Sequence, residues 1–328
     1  MKKIFFAVLL ATSLVGGAVA ADRQSHSGAR PEITPPGKVA VHPFIDKKGI
    51  AEWKNLVFVS DAANNVVNLY NLAGKQLAQL TGFSEPQGLT VDADGNLYVA
   101  NTGDSNILIY APPYSGTPTT LDDSGQFPVD VAVINNGEFV AVTNIISTSD
   151  GPGSVTLYKN GKQGATISNS DWARIYFEGF DASGNLYFDG EGTSGAVLVG
   201  EIAKLTSGGS TITTLTTNNS IEFPGGVQVT NGGKIAIEDQ EGFAVYTYDA
   251  PKSGSLGSPI KTTDLTGSGD PVSFAFNGDN RVLWTADASD GAANEFRYPA
   301  GGDTKKVISV SGGEPIGVAL FPASTPGK

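Results

Sequence analysis

The feature that most constrains this sequence is a repeat in which each copy holds several short predicted strands. Successive prolines before the first strand of a copy lie 42, 96, 47 and 44 residues apart, at Pro86, Pro128, Pro224, Pro271 and Pro315. The interval of 96 residues holds two copies, the second of which starts near Arg174. A period of about 40 to 50 residues with several short strands is typical of a β-propeller.

Residues 86–110 are the clearest copy of the repeat. Residues 89–91 and 97–99 are β-branched and aromatic runs, and they flank the sequence Asp-Ala-Asp-Gly-Asn at 92–96. Gly95 and Asn96 can take the positive φ of a hairpin turn, so the segment predicts a strand, a tight turn and a second strand. It does not match a calcium-binding loop, because the glycine comes too early and no Glu follows at the twelfth position.

The order of the strands predicts how the ring closes. Residues 56–59 match a second strand with no first strand before them, whereas residues 316–321 match a first strand with nothing after it. Joining the two completes a sixth blade and removes the exposed sheet edges. The sequence therefore predicts an all-β, six-bladed β-propeller with four antiparallel strands per blade. Its C-terminal strand joins the N-terminal blade, so that Val318 pairs with the strand that begins at Leu56.

The N-terminal residues match an export signal. Lys2 and Lys3 precede an apolar core, and a small-residue cleavage site ends at Ala20. We expect a signal peptide over 1–20, a polar, Pro-rich leader over 21–53 and a single propeller domain over 54–328. The mature protein would then be periplasmic or extracellular. Because the chain contains no cysteine, its fold must be stable without disulfides.

The net charge of the chain is −12, and removal of Lys2 and Lys3 with the signal leaves 19 basic and 33 acidic residues, or −14. Such a charge disfavours nucleic acid and anionic membranes as partners. We expect a monomer that does not insert into a membrane and that binds a protein or a small neutral or cationic ligand. His26 and His42 lie in the leader, which argues against a zinc site or a Ser-His-Asp triad in the propeller.

Residues 86–110 closely resemble the NHL repeat of six-bladed β-propellers. The shared pattern is Pro-x-Gly-hydrophobic, then Asp-Gly-Asn-Leu-Tyr-Val, then an Asp or Asn loop, and residues 181–188 match it a second time. The resemblance covers residues 55–321 and implies the fold rather than the activity, because such propellers include lactone hydrolases, lyases and binding scaffolds. The virginiamycin-lyase-like and amidating-lyase-like members rely on histidine, which this propeller lacks.

Two sets of polar residues are predicted at one end of the axial channel. Residues at the ends of second strands are Asp61, Asn101, Asn144, Asp189, Asp239 and Asp287. Residues just before first strands are Glu85, Glu222, Asp270 and Glu314, with Gln126 and Trp172 in the other copies. Converging carboxylates favour a hard cation such as Ca²⁺, or the hydroxyl groups of a polyol. The alternative is structural, since Asp or Asn at a strand end often accepts hydrogen bonds from its own loop. Trp172 could stack on a sugar or pack in the core.

Glu178 departs from the pattern of its repeat. Counted back from the Gly-Asn turn at 184–185, it takes a position that is apolar in the other copies, at Leu89, Val131, Val227, Phe274 and Val318. A different alignment, with residues 177–180 matched to 86–89, places it at the channel entrance. A carboxylate among apolar residues is unfavourable unless it is paired or bound to a metal. Glu178 is therefore the foremost candidate for a catalytic residue.

Two functions fit these features. The first is an exported scaffold that binds a ligand or a protein through its loop-rich channel mouth. The second is a metal-assisted hydrolase of a lactone or sugar-derived ester, similar to the gluconolactonase family, although that family's opening Glu-Gly-Pro motif is missing. The candidates to hold an axial Ca²⁺ or Zn²⁺ would then be Glu178, Asn144, Asp239 and Asp287, with Asn101 as the alternative to Asn144 and with either of the two Asp residues as the acid. We favour the binding function, because a fold alone is weak support for an activity.

Overall fold

The computed structural model describes residues 55–194 and 197–324. They form six antiparallel sheets arranged as the blades of a propeller. Apart from strands, the regular structure of these residues consists of one short 3₁₀ turn at Thr102–Asp104, and none of it is a helix long and apolar enough to cross a membrane. The predicted signal peptide and leader lie outside the described residues.

The first three blades each have four strands. Blade 1 contains β26 (Pro315–Phe321), β1 (Leu56–Asp61), β2 (Val66–Asn71) and β3 (Gln76–Thr81). Blade 2 contains β4 (Pro86–Val91), β5 (Leu97–Asn101), β6 (Asn106–Tyr110) and β7 (Thr119–Asp122). Blade 3 contains β8 (Gln126–Ile134), β9 (Phe139–Ser147), β10 (Ser154–Lys159) and β11 (Lys162–Ser168).

Blades 4 and 5 carry an additional, fifth strand supplied by the next blade. Blade 4 contains β12 (Trp172–Phe180), β13 (Leu186–Ser194), β14 (Val197–Leu205), β15 (Ile212–Thr217) and β19 (Ser255–Gly257). Blade 5 contains β16 (Pro224–Val229), β17 (Ile235–Asp239), β18 (Ala244–Tyr248), β20 (Lys261–Thr266) and β24 (Gly302–Asp303). Blade 6 contains β21 (Pro271–Phe276), β22 (Val282–Asp287), β23 (Ala292–Arg297) and β25 (Lys306–Ser309).

The turn at 92–96 forms as the sequence predicts. Asp92 accepts hydrogen bonds from the backbone N–H groups of Asp94 and Asn96 at 3.0 and 2.9 Å and from the Asn96 side chain at 2.7 Å. Gly95 has a φ of 86°, which a residue with a side chain rarely adopts. Asp181 makes the same three contacts in blade 4. These turns lie on the face that we call the hairpin face, and the loops that enter first strands and leave second strands form the opposite, mouth face.

The core lies in and between the blades. Each first strand packs against the first strands of both neighbouring blades, and small residues permit this close approach. A Cβ atom added to Gly226 would lie 2.7 Å from the backbone nitrogen of Phe274 in the next blade. The Gly of the Pro-x-Gly pattern therefore serves packing between blades. The pairing of first with second strands contains a register shift in every blade, which leaves part of each first strand unpaired on that side.

The ring closes as predicted. Strand β26 pairs antiparallel with β1, and Val318 lies opposite Val59 in this register. Both side chains are buried in a cluster shared by blades 6 and 1, which also contains Trp284 and Ile308. The first and last described strands therefore complete one sheet and leave no open edge between them.

Val318→Ala tests this closure. Removing two buried methyl groups should lower the free energy of unfolding by about 2 kcal/mol. Val307→Ala is the matched control, because Val307 is 55% exposed on the outer strand of blade 6 and its loss should change stability by less than about 0.5 kcal/mol. Urea denaturation of the two variants measures the difference, and equal midpoints would contradict the proposed role of β26.

Candidate functional site

The polar residues at the ends of the second strands hold the mouth-face loops together. Asp239 accepts hydrogen bonds from the backbone N–H groups of Glu222, Phe223 and Gly242 at 3.1 to 3.2 Å. Asp287, Asp61 and Asn101 accept equivalent bonds from the loops that enter blades 6, 1 and 2. Asn144 instead donates to the hydroxyl groups of Ser154 and Thr156 within blade 3. All five side chains are buried. They serve the structure through hydrogen bonds to the backbone or to neighbouring side chains.

Asp189 does not belong to that set. Phe188 lies opposite Glu178 as Val99 lies opposite Leu89, so Asp189 corresponds to Ala100, and Gly190 occupies the position of Asn101. The alignment by acidic residue type was wrong by one position, and a shift of one residue moves a strand side chain to the other face. Asp189 accepts a hydrogen bond from the Phe177 N–H at 3.1 Å in the irregular part of β12. Glu238 holds the same position in blade 5 and accepts from Gly226 N–H at 3.3 Å.

The acids before the first strands differ in their exposure to solvent. Glu85 and Glu222 are exposed, whereas Asp270 and Glu314 are half-buried. Burial raises the pKa of Asp270 to about 6, with smaller contributions from the charges of Asp287, Glu314 and Glu241. The pKa of Glu314 is also raised by burial, and then by Asp61 and Glu85. Asp270, Glu314, Glu85 and Glu241 therefore lie close enough to interact electrostatically on the mouth face.

Trp172 takes the second of its two expected roles and packs in the core. Trp172 is 0% exposed, and its ring packs against that of Phe188 with centroids 5.4 Å apart. It therefore cannot stack on a ligand, because it is buried in a cluster with residues of blades 3 and 4 such as Val155 and Phe188. At the axis, apolar first-strand residues from four blades join one buried cluster: Val129, Tyr176, Val272 and Ile316. The first strands of these four blades therefore contribute apolar side chains here, and the carboxylates lie on the loops of the mouth face.

A buried ion pair lies beside this cluster and is not evident from the repeat. Arg174 Nη1 lies 2.7 Å from Glu191 Oε2, and the Tyr176 hydroxyl donates to the same oxygen at 2.9 Å. Burial and the Glu191 charge raise the pKa of Tyr176, so its hydroxyl stays protonated. Removing either charge would leave the other buried and unpaired, which is strongly destabilising. The ion pair therefore fixes the wall of blade 4 next to the axis.

Glu178 occupies the position that is apolar in the other copies, so the alignment counted back from the Gly-Asn turn at 184–185 is correct. It is 1% exposed, and its Oε1 accepts the Ala132 N–H at 3.1 Å across the interface between blades 3 and 4. In return, Asp130 Oδ2 accepts the Glu178 N–H at 3.3 Å. Each acidic side chain thus accepts a backbone N–H from the neighbouring first strand, Glu178 from Ala132 and Asp130 from Glu178. The sequence signal for Asp130 is its place at the Gly of Pro-x-Gly, in Pro128-Val129-Asp130.

Burial governs the ionisation of this pair. Burial raises the pKa of Asp130 to about 7, and burial together with the Asp130 charge raises the pKa of Glu178 well above its ordinary value. The second carboxyl oxygens of Glu178, Asp189 and Glu238 have no hydrogen-bond partner among the described residues. Burial also raises the pKa of Asp189 and of Glu238, so these groups favour the protonated, neutral form.

The four residues expected to hold a metal ion do not form a common site. Within residues 55–194 and 197–324, no three His, Cys, Asp or Glu side chains are grouped so that they could hold a metal ion. Glu178 lies between blades 3 and 4, while Asp239 and Asp287 bind the loops of blades 5 and 6. The residues present therefore do not fit an axial Ca²⁺.

The charges of the propeller are divided between its two faces. In the part of the chain that the structure describes, the mouth-face loops contain no Lys, Arg or His and ten acidic residues: Glu85, Asp104, Asp123, Asp150, Asp171, Glu222, Glu241, Asp270, Asp290 and Glu314. The hairpin-face loops mix both signs and include basic residues such as Lys75, Lys234 and Arg281. The mouth face is therefore strongly negative. The basic residue Arg174 lies nearby, but it is buried and its charge is paired with that of Glu191.

Comparison with known proteins agrees with this architecture. The family model of the NHL repeat matches residues 83–110, which span blade 2 from its entry loop to the end of β6. No curated protein is detectably similar to the sequence. Solved structures, in contrast, share its fold at low sequence identity.

Three such structures illustrate the likeness. A chain of the nidogen/laminin complex is 13% identical with a TM-score of 0.65, over 83% of this chain and 100% of that one. Virginiamycin B lyase from Staphylococcus aureus is 15% identical with a TM-score of 0.53, over 74% of this chain and 78% of that one. A streptogramin B lyase is 14% identical with a TM-score of 0.50, over 78% of this chain and 74% of that one. The protein is a six-bladed β-propeller. Within it, blade 2 matches the NHL repeat.

Asp130→Asn tests the ionisation of the buried pair. An acid whose pKa is raised by folding binds more protons in the folded than in the unfolded state, so stability falls as the pH rises between the two pKa values. For Asp130 this interval runs from about 4 to about 7. The variant should be more stable than the wild type at pH 8, and its stability should decline less between pH 5 and pH 7.

Urea denaturation at several pH values measures this slope. Asp94→Asn is the matched control, because Asp94 is exposed in the hairpin turn at 92–96. The control should follow the wild-type profile. The same decline in both variants would show that Asp130 is not responsible for it.

Proposed function

We propose that this propeller is an exported binding scaffold whose mouth face binds a protein or peptide rich in Lys and Arg. The observation that carries the proposal is the division of charge, with ten acidic residues and no basic residue in the described mouth-face loops. A face of one sign attracts partners of the opposite sign and accelerates their association. Export of the chain rests on the signal-like residues 1–20.

The geometry favours a broad surface over an axial pocket as the binding element. First-strand residues from four blades are buried in one apolar cluster, and second-strand residues such as Asp239, Asp287 and Asp61 are engaged in loop caps. The exposed mouth-face acids Glu85, Glu222 and Glu241 remain available at the surface. They stand on loops held by a rigid ring, which suits recognition of another protein. The similar nidogen/laminin structure is itself a complex of proteins.

The combined variant Glu85→Gln, Glu222→Gln and Glu241→Gln tests this proposal. With a fluorescent decalysine peptide as the probe, the dissociation constant at low salt should rise about tenfold. Fluorescence anisotropy measures the binding, and added NaCl should weaken it further, because the attraction is electrostatic.

The matched control removes three acidic charges from the hairpin face with Asp94→Asn, Glu138→Gln and Asp279→Asn. It has the same net charge as the mouth-face variant, so a change of less than about twofold is expected. Equal weakening by both variants would show that only the net charge matters, and the mouth face would then not be the binding surface.

The hydrolase hypothesis makes a separate prediction. An axial Ca²⁺ that binds the folded protein should raise the melting temperature by mass action, and Glu178→Gln should abolish the increase. The engagement of Glu178 by the Ala132 N–H favours the opposite result. We therefore expect Ca²⁺ to leave the melting temperature of both proteins unchanged in differential scanning calorimetry. An increase in the melting temperature of the wild type but not of Glu178→Gln would support the hydrolase hypothesis.

A further inference from the structure

A groove of about 190 Å³ opens on the hairpin face between blades 3 and 4. Its walls include the apolar side chains of Phe139, Leu157, Phe180, Leu186 and Leu205. Its rim carries the polar groups of the two hairpin turns and of the loop 206–211 that joins the third and fourth strands of blade 4. The groove is on the opposite face from the acidic mouth and has no part in the function proposed above.

The corresponding space between two other pairs of blades is filled by a tyrosine. Between blades 5 and 6, Tyr298 packs on Phe276 with ring centroids 4.5 Å apart, and its hydroxyl lies 2.8 Å from that of Thr247. Between blades 1 and 2, Tyr114 packs on Phe58 at 5.3 Å and donates to the Gly95 carbonyl at 2.8 Å. Both tyrosines come from the loop between the third and fourth strands of their blade.

The strand registers identify the equivalent positions in blade 4. Phe180 pairs with Leu186, which pairs with Leu205, as Phe276 pairs with Leu283 and Leu283 with Phe296. Ser207 lies two residues after Leu205, as Tyr298 lies two residues after Phe296, so Ser207 is the counterpart of Tyr298. In blade 2, Leu97 pairs with Tyr110 in the same way.

The loop of blade 4 thus has no aromatic residue at either of these two positions. Leu205 is the counterpart of Tyr110. Tyr114 lies four residues after Tyr110, so its counterpart in blade 4 is Gly209. The loop has the sequence Thr-Ser-Gly-Gly-Ser-Thr at 206–211, so it supplies no ring to the groove.

We propose that this groove is a binding site for a small phenolic molecule, which occupies the space that a tyrosine fills in blades 2 and 6. The size fits, because an apolar cavity of about 150 Å³ takes up benzene in another protein. Phe180 would face the ring as Phe276 faces that of Tyr298. Burial of the ring against apolar walls supplies the affinity.

The phenol hydroxyl has a defined acceptor. Gly184 lines the groove and occupies in its turn the place of Gly95, whose carbonyl accepts the Tyr114 hydroxyl in blade 2. The counterpart of Thr247 is Leu157, since Thr247 pairs with Ala236 as Leu157 pairs with Ala141. The Gly184 carbonyl is thus the partner that remains, and it should favour a phenol over a ring without a hydroxyl group.

Methyl NMR of the full-length wild-type chain tests the site directly, with p-cresol, the side-chain analogue of tyrosine, as the probe. Titration should shift the methyl signals of Leu157, Leu186 and Leu205, with a dissociation constant near or below about 1 mM. The Ile308 methyl signals in blade 6 should stay in place. Toluene should bind more weakly than p-cresol. Shifts spread over all methyl groups, or none in the groove, would overturn the proposal.

Ser207→Tyr supplies the missing ring from the chain itself. This variant should melt about 2 to 4 °C higher than the wild type and bind p-cresol at least about tenfold more weakly. Ser210→Tyr is the matched control, because it adds the same ring to the same loop at an exposed residue outside the groove. It should bind p-cresol as the wild type does. Binding of p-cresol to Ser207→Tyr with wild-type affinity would overturn the proposed site. If that variant fails to fold, the titration of the wild type with p-cresol decides.

Discussion

The pairing of β26 with β1 is the interaction on which the rest of the structure depends. It brings residues almost 260 positions apart in the chain into one sheet and turns six separate blades into a ring without a gap. Because every first strand then packs against two neighbours, side chains and loops at the mouth are held in place from both sides. A binding face built from loops can be rigid on such a frame.

Most buried carboxylates of this protein support that frame. Asp239 and Asp287 hold loops, and Asp189 and Glu238 bind N–H groups in the irregular parts of first strands. A buried N–H without a partner would destabilise the fold, so these acids replace bonds that the register shifts remove. Of the ten acids in the mouth-face loops, Asp123 is buried and the other nine are at least partly exposed, and these nine give the mouth face its charge.

The two faces therefore differ in chemistry. The mouth-face loops are acidic, and first-strand residues from four blades are buried in one apolar cluster, which suits a large basic partner better than a small ligand held in a channel. The hairpin face carries charges of both signs, and its open space is an apolar groove between blades 3 and 4. Both properties follow from loop composition on a common frame, which is how one fold can carry unrelated functions.

The sequence by itself determined the architecture, because a strand-and-turn pattern repeated at a constant interval leaves few folds that bury every apolar side. The turn at 92–96, the six blades and the pairing of Val318 with Val59 all follow from that pattern. The identity of the site residues does not follow from it. A one-residue difference in blade 4 moved Asp189 to another face, and packing between blades 3 and 4 buried Trp172. Whether an acid binds a ligand or a backbone N–H depends on contacts between blades, and only the tertiary structure decides those.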